Sequence, residues 1–344
     1  MRDPDDTQGV DELRSRLHAL VDDVEPRGDT LPRLLAARQR RSRRPSRRPL
    51  IAAGGVAVAA SAVFLVALTV VPGTTPHQAA PVSIAPNSYV AAPDPGTLAS
   101  FDVLTGQRHE VLADVGGPVR GGLAADGDRV YATVPAAGGS DIVMLGPDRS
   151  VRPVAHRTGT DTALAAGGGR IAYADGDGVT VEGTGQQQRI PLPAGRQALD
   201  LAVDHDGTLA VLTSQSEIHI VAPGNTELGE PMPKSPAGTC PPQALAWADS
   251  EVAVLTSAEC GNPPAERMRV TTLDRDSGAA IGGGAPFDTG GALTAEQVQL
   301  SVDRVGRYLV SVADGRQWLV DGADTRPVAP ACGGNDCVPA TFWG

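Results

Sequence analysis

Hydrophobic positions along this chain follow three different patterns, one after another. Val10, Leu13, Leu17, Leu20, Val21 and Val24 recur at three- and four-residue steps, which sets them on one face of a helix. Glu25-Pro26 and Gly28 close that helix, and a second is predicted from Asp29-Thr30 through Leu34 and Leu35. From Leu50 to Val71 the periodicity is lost, and 22 residues run without a charge. Beyond residue 87 the apolar positions break into short runs separated by Asp-Gly and Gly-Gly pairs. That is the pattern of strands joined by tight hairpins.

The central run predicts a membrane span. At ~1.5 Å per residue it reaches roughly 33 Å as a helix, enough for a hydrocarbon core of ~30 Å. Eight arginines and no acid lie between residues 33 and 48, and no lysine or arginine follows the run until Arg108. Positive charge stays on the cytoplasmic side, so the N-terminus is expected inside and residues 72–344 outside. The arginines could instead serve a nucleic-acid-binding tail, but their place against the span makes topology and anionic-lipid contact the simpler use. A cleaved signal peptide is the rival for the span. Signal peptides have short n-regions and apolar cores of ~7–15 residues. Here a longer core follows a 49-residue segment, and PGTTPHQAAP offers no clean Ala-x-Ala site. The expectation is an uncleaved signal anchor in the cytoplasmic membrane. The amphipathic stretch before it carries four acids against two arginines over residues 10–24, so a soluble protein partner or self-association suits it better than an anionic leaflet.

Past a Pro/Ala/Thr-rich linker one pattern returns. Leu123-Ala-Ala-Asp126, Leu164-Ala-Ala-Gly167, Leu201-Ala-Val-Asp204, Leu245-Ala-Trp-Ala248 and Leu300-Ser-Val-Asp303 follow one another, and Thr341-Phe-Trp-Gly344 closes the series. Their first residues are 41, 37, 44, 55 and 41 apart. Each marker leads through a turn into a second strand, then a third and a fourth. Strand-rich units with periods near 40 predict propeller blades. Tyr89-Val90-Ala91 opens the domain like a second strand, with Phe101–Leu104 and His109–Leu112 as strands three and four. The missing first strand is predicted to be Val338–Gly344, which would close the ring. Six markers give six blades. An insertion between Gly278 and Leu293 leaves room for a seventh.

The expected organisation is therefore a cytoplasmic helical and Arg-rich tail (1–49), a transmembrane helix (50–71), a linker (72–86) and an extracytoplasmic all-β six-bladed propeller (87–344). Over residues 87–344 these repeats resemble TolB-like and YVTN-type propellers. The whole layout, with one lysine against 28 arginines, resembles actinobacterial single-pass membrane proteins with an external propeller. Some such proteins accompany extracytoplasmic-function sigma factors, so the resemblance implies a cytoplasmic regulator as a partner of the tail. The His-x3-Cys-x2-Cys zinc motif of many anti-sigma domains is missing, since no cysteine precedes Cys240.

Charge narrows the choice of partner. Twelve arginines and nine acids lie before residue 51, leaving 17 basic and 31 acidic residues beyond it. An acidic outer domain is a poor partner for nucleic acid. Aromatics are 3% of the chain, too few for a carbohydrate platform.

All four cysteines fall in the outer part, where disulfides persist. A hairpin about Asp249-Ser250 sets residues summing to about 500 opposite one another, which brings Cys240 to Cys260. Cys332 and Cys337 then close a small loop beside the ring-closing strand. A four-cysteine zinc site would need Cys-x2-Cys-like spacing, whereas the chain offers Cys-x19-Cys and Cys-x4-Cys. Asp126-Gly-Asp128, Asp175-Gly-Asp177 and Asp204-His-Asp206 look superficially like calcium loops, but each lacks the full ligand set and falls at a hairpin turn. His156, His205 and His219 stand in separate contexts. No Gly-x-Ser-x-Gly, His-Glu-x-x-His or phosphate-binding glycine loop occurs. No catalytic residue, cofactor or metal ligand is assigned. Two uses of the propeller stay open. A non-enzymatic binding, sensing or scaffold module predicts a channel lined mainly by small or apolar groups. An extracytoplasmic hydrolase or lactonase predicts Asp, Glu, Asn or His converging from at least three blades.

Overall fold

Each of the six sequence markers lies on the innermost strand of its own sheet. The computed structural model describes residues 87–343 apart from 159–162, 184, 234–239, 261–265, 292 and 333–336. The inner strands are Arg120–Asp126, Leu164–Gly167, Ala198–Val203, Pro242–Ala248, Val298–Val302 and the short Thr341–Phe342. Each begins one of six antiparallel sheets, and the inner strands touch in turn around a closed circle. The fold is an all-β six-bladed propeller. The predicted tail, span and linker lie outside the described residues, among which no helix is long and apolar enough to cross a membrane.

Glycines in positive-φ turns make the hairpins, as expected of Asp-Gly pairs: Gly127 stands at φ 60° and Gly207 at φ 85°. In blade five Asp249 takes that place, at φ 57°, and Ala248 pairs with Glu251 across the turn. The ring closes as the pattern implies. Tyr89 pairs with Phe342 and Val90 with Thr341, so the last strand completes blade one. Closure covers the inner edge of Ser88–Asp94, which would otherwise stand open.

Three details differ from the sequence reading. The third strand of blade one is Thr97–Asp102, since Asp102 Oδ1 accepts the N–H groups of Leu104 and Thr105 and turns the chain there. Blade four shows three strands among the described residues. The segment beyond Val221 meets it through an isolated bridge at Pro231, which has no N–H to offer a ladder. The insertion in blade five makes no seventh blade, because Ala280–Gly283 and Phe287–Asp288 both pair with Arg267–Leu273.

The core is six thin seams, one between each pair of neighbouring blades. This follows from the two-residue period of a strand. Tyr89 and Ala91 face blade six, while Val90 and Ala92 face blade two. Small and branched side chains fill most seams. Tyr89 stacked on Phe101, with ring centroids 5.3 Å apart, is the main aromatic contact at the closure.

Candidate functional site

The inner strand of a blade is an edge strand, and its inward N–H groups have no ladder partner. Blades four and six answer this with side chains placed one residue before the marker. Asp200 accepts the N–H of Leu201 at 2.8 Å through Oδ1 and that of Leu245, in blade five, at 2.6 Å through Oδ2. Gln299 accepts the N–H of Leu123 at 3.2 Å and donates Nε2 to the Leu123 carbonyl, reaching from blade six to blade two. Gly122 makes room for that amide, since a Cβ there would stand 2.5 Å from Gln299 Oε1. The closing strand is held in a similar way. Ser311 Oγ accepts Ala340 N–H at 2.8 Å and Ser301 Oγ accepts Phe342 N–H at 3.1 Å.

At the end where the inner strands begin, the channel opens into a funnel of about 810 Å³. Deeper, it narrows to a cavity of about 130 Å³ lined by all six inner strands. By residue type the walls are mostly small or apolar, with Val119, Ala163 and Val338 in the funnel and Leu123, Ala165 and Leu245 below, while backbone and side-chain polar groups make up about half of the surface they expose. Asp200 belongs to both cavities. Asp94, Glu296 and Arg120 stand exposed around the wider end.

Asp200 keeps a partial opening to the cavity, yet protein surrounds its carboxyl. Burial pushes its pKa up to about 7 against the pull of the Leu245 and Leu201 N–H groups. Among the described residues no arginine, lysine or histidine forms an ion pair with it. Other enclosed acids do have such partners: Asp303 pairs with Arg307 at 2.7 Å, and Glu217 pairs with Arg196.

Both expected disulfides form, Cys240–Cys260 and Cys332–Cys337, and no cysteine is free. A bulge between Pro242 and Ala244 shifts the register, so the first bridge lies just beyond the paired ladder. The second lies in the funnel wall, against Gly315, whose φ of 91° and lack of a Cβ let Cys337 Sγ approach.

Two of the Asp-rich turns, Asp126–Asp128 and Asp204–Asp206, lie at the other end of the channel, whereas Asp175–Asp177 joins Arg170–Asp175 to Gly178–Gly183 on the funnel side. Asp204 Oδ1 accepts the backbone N–H of His205 and meets its Nδ1, both at 2.6 Å. That carboxylate raises the pKa of the exposed imidazole. Asp206 accepts Thr208 N–H at 2.8 Å, and Asp126 accepts Gly169 N–H from the next blade at 2.7 Å. These acids tie turns together. His156 pairs with Asp141 on an outer strand, and His219 is buried against the Gly229 carbonyl. Among the described residues no three His, Cys, Asp or Glu side chains gather as metal ligands.

The sequence reading passed over Asp200. Aligning the repeats one position before each marker gives Gly122, Ala163, Asp200, Ala244, Gln299 and Ala340. An acid and an amide among small residues were the available signal.

No family model matches the chain, and no curated protein matches it. Among solved structures it is similar to apo AztD from Citrobacter koseri, at 10% identity and TM-score 0.45, covering 74% of this chain and 96% of that one. It is also similar to the WD40 β-propeller domain of Doa1, at 12% identity and TM-score 0.46, over 71% and 79% of the two chains. A third likeness, to Kluyveromyces marxianus Hsv2, has 9% identity and TM-score 0.42, over 69% and 82%. No function is drawn from likenesses this distant.

Proposed function

We propose that this chain is a membrane-anchored extracytoplasmic binding module. The propeller presents its funnel to a protein, peptide or envelope component, and the tail of residues 1–49 contacts a cytoplasmic regulator such as an extracytoplasmic-function sigma factor. This reading includes the likeness to actinobacterial single-pass proteins with TolB-like or YVTN-type propellers. One observation carries it: the funnel is roomy and most of its lining residues are small or apolar, with Asp94, Arg120, Asp200, Glu296 and Gln299 as its charged and amide side chains. Two closed disulfides support an oxidising compartment. The arginine cluster beside the 22-residue apolar run supports the anchor and its direction.

The strand directions add a point about access. The chain enters the propeller at Asn87, whose side chain accepts from Arg307 at 2.9 Å, while Trp343 N–H reaches Ser88. This is the hairpin end. From there Ser88–Asp94 runs toward the funnel, so Asn87, the first described residue, stands at the end opposite the funnel.

The test is affinity capture from membranes with the full chain, a version lacking residues 1–30, and Ala295→Trp, which fills the funnel mouth. The truncation is expected to lose a cytoplasmic regulator and keep the outer partner. Ala295→Trp is expected to do the reverse. Identical recovery from all three versions refutes both assignments.

A further inference from the structure

We propose that the funnel recognises an organic cation, an ammonium or guanidinium group on an apolar stem, with the Asp200 carboxylate as its counter-charge. This rests on the funnel being the binding site.

The geometry supplies three parts of such a site. The first is space: about 810 Å³ suits a small ligand or one side chain with its flanking backbone. The second is a wall for the stem, made by Val119, Ala163 and Val338. The third is the floor. Asp200 lines both the funnel and the channel below it, and each of its oxygens accepts one backbone N–H and keeps further acceptor capacity. A buried carboxylate without a cation is costly, and a cation from outside removes that cost. Among the described residues, the other charged groups lining the funnel are Asp94, Glu296 and Arg120, which with Asp200 favour cation entry. A calcium ion fits poorly, since it needs six to eight oxygens and the described residues gather no such set.

Protonation gives the inference a sharp consequence. Asp200 is half ionised near pH 7, while an alkylammonium stays charged. Affinity for the cation is therefore expected to rise about tenfold from pH 6 to pH 8 as the carboxylate forms.

The experiment titrates the full-length chain with hexylammonium and with a blocked lysine peptide, against hexanol and the norleucine peptide. Calorimetry at pH 6 and 8 reads affinity, and ¹³C NMR follows the Asp200 carboxyl, assigned through Asp200→Asn. The cations are expected to bind at least tenfold tighter than their neutral counterparts and to lower the Asp200 pKa by more than about one unit. Asp94→Asn/Glu296→Gln should weaken binding and keep its pH step. Preference for the peptide over hexylammonium marks a protein side chain as the source, and equal affinity marks a free amine. Since Asp200→Asn orphans an N–H, the wild-type calorimetry of charged against neutral probes at pH 6 and 8 decides the matter if that variant unfolds. Equal binding of charged and neutral probes, or an Asp200 titration that cations do not move, overturns the inference. If that happens while Ala295→Trp still abolishes capture of the outer partner, the funnel remains the site and only the cation is wrong.

Discussion

Asp200, on the blade-four inner strand, and Asp204, in the turn just past it, stand four residues apart toward opposite ends of the channel, and their charges are handled differently. Asp204 belongs to a turn, and its carboxylate is occupied by the backbone and ring of His205. Asp200 sits in an otherwise apolar stretch, and only backbone N–H groups answer it. The first acid was conspicuous because it came in an Asp-x-Asp-Gly cluster. The second leaves a carboxyl poised near neutral pH in a cavity. A dense cluster of acids at a hairpin is mostly turn chemistry, whereas one acid on an inner strand has to be explained by the channel.

The two ends also differ in how they are held, and the largest expected effect tests that. Local turns brace the hairpin end. At the funnel end, Cys240–Cys260 lies just before the blade-five inner strand and Cys332–Cys337 lies in the wall. Replacing Cys240 and Cys260 by serine should cost about 3 kcal/mol, and replacing Cys332 and Cys337 about 2 kcal/mol, from the loops they close in the unfolded chain. Urea unfolding of the full chain under oxidising conditions reads both. No change in midpoint for either pair means that the funnel end does not depend on its crosslinks.

Asp200 gives the next effect. Its pKa is raised in the folded state, so its stabilising contribution is complete below about pH 4 and is lost as pH rises through about 7. The slope is at most about 1.4 kcal/mol per pH unit. Asp200→Asn cannot accept both N–H groups and should cost about 1–3 kcal/mol in acid. It also removes the slope, so the variant should compare best with the wild type above pH 7 and worst near pH 4. Melting curves at pH 4.5, 6 and 8 decide this, and a constant difference across that range contradicts the raised carboxyl.

The same contrast shows how far the sequence could be read. Blade number and ring closure were legible because hairpins need Asp-Gly or Gly-Gly and strands need alternation, and both are local requirements. That blade four shows three strands among the described residues was half legible, since Pro231 interrupts the pattern that Ile218–Val221 begins. The disulfides followed from hairpin geometry plus compartment. Asp200 and Gln299 were not legible from local context. Their partners, Leu245 and Leu123, are 45 and 176 residues away, and the requirement they meet, an inward N–H on another blade, exists only once the ring is closed.

The smallest effect lies at the hairpin end and separates the two acids most directly. The hydrogen bond from Asp204 raises the His205 pKa, with added pull from its charge and from Asp206 and Asp249. A raised histidine contributes stability below its ordinary pKa and loses it as pH rises through the folded value. The sign is therefore the same as for Asp200, and a melting curve alone would mix the two. Resonances keep them apart. Asp204→Asn should bring the His205 imidazole titration down toward the ordinary histidine range and leave the Asp200 carboxyl where it was. Asp200→Asn should leave His205 untouched, because the two groups share no partner and lie at opposite ends of the channel. If either substitution moves the other residue's titration, the ends of the channel are coupled through the blade-four strand, and the division of labour between them fails.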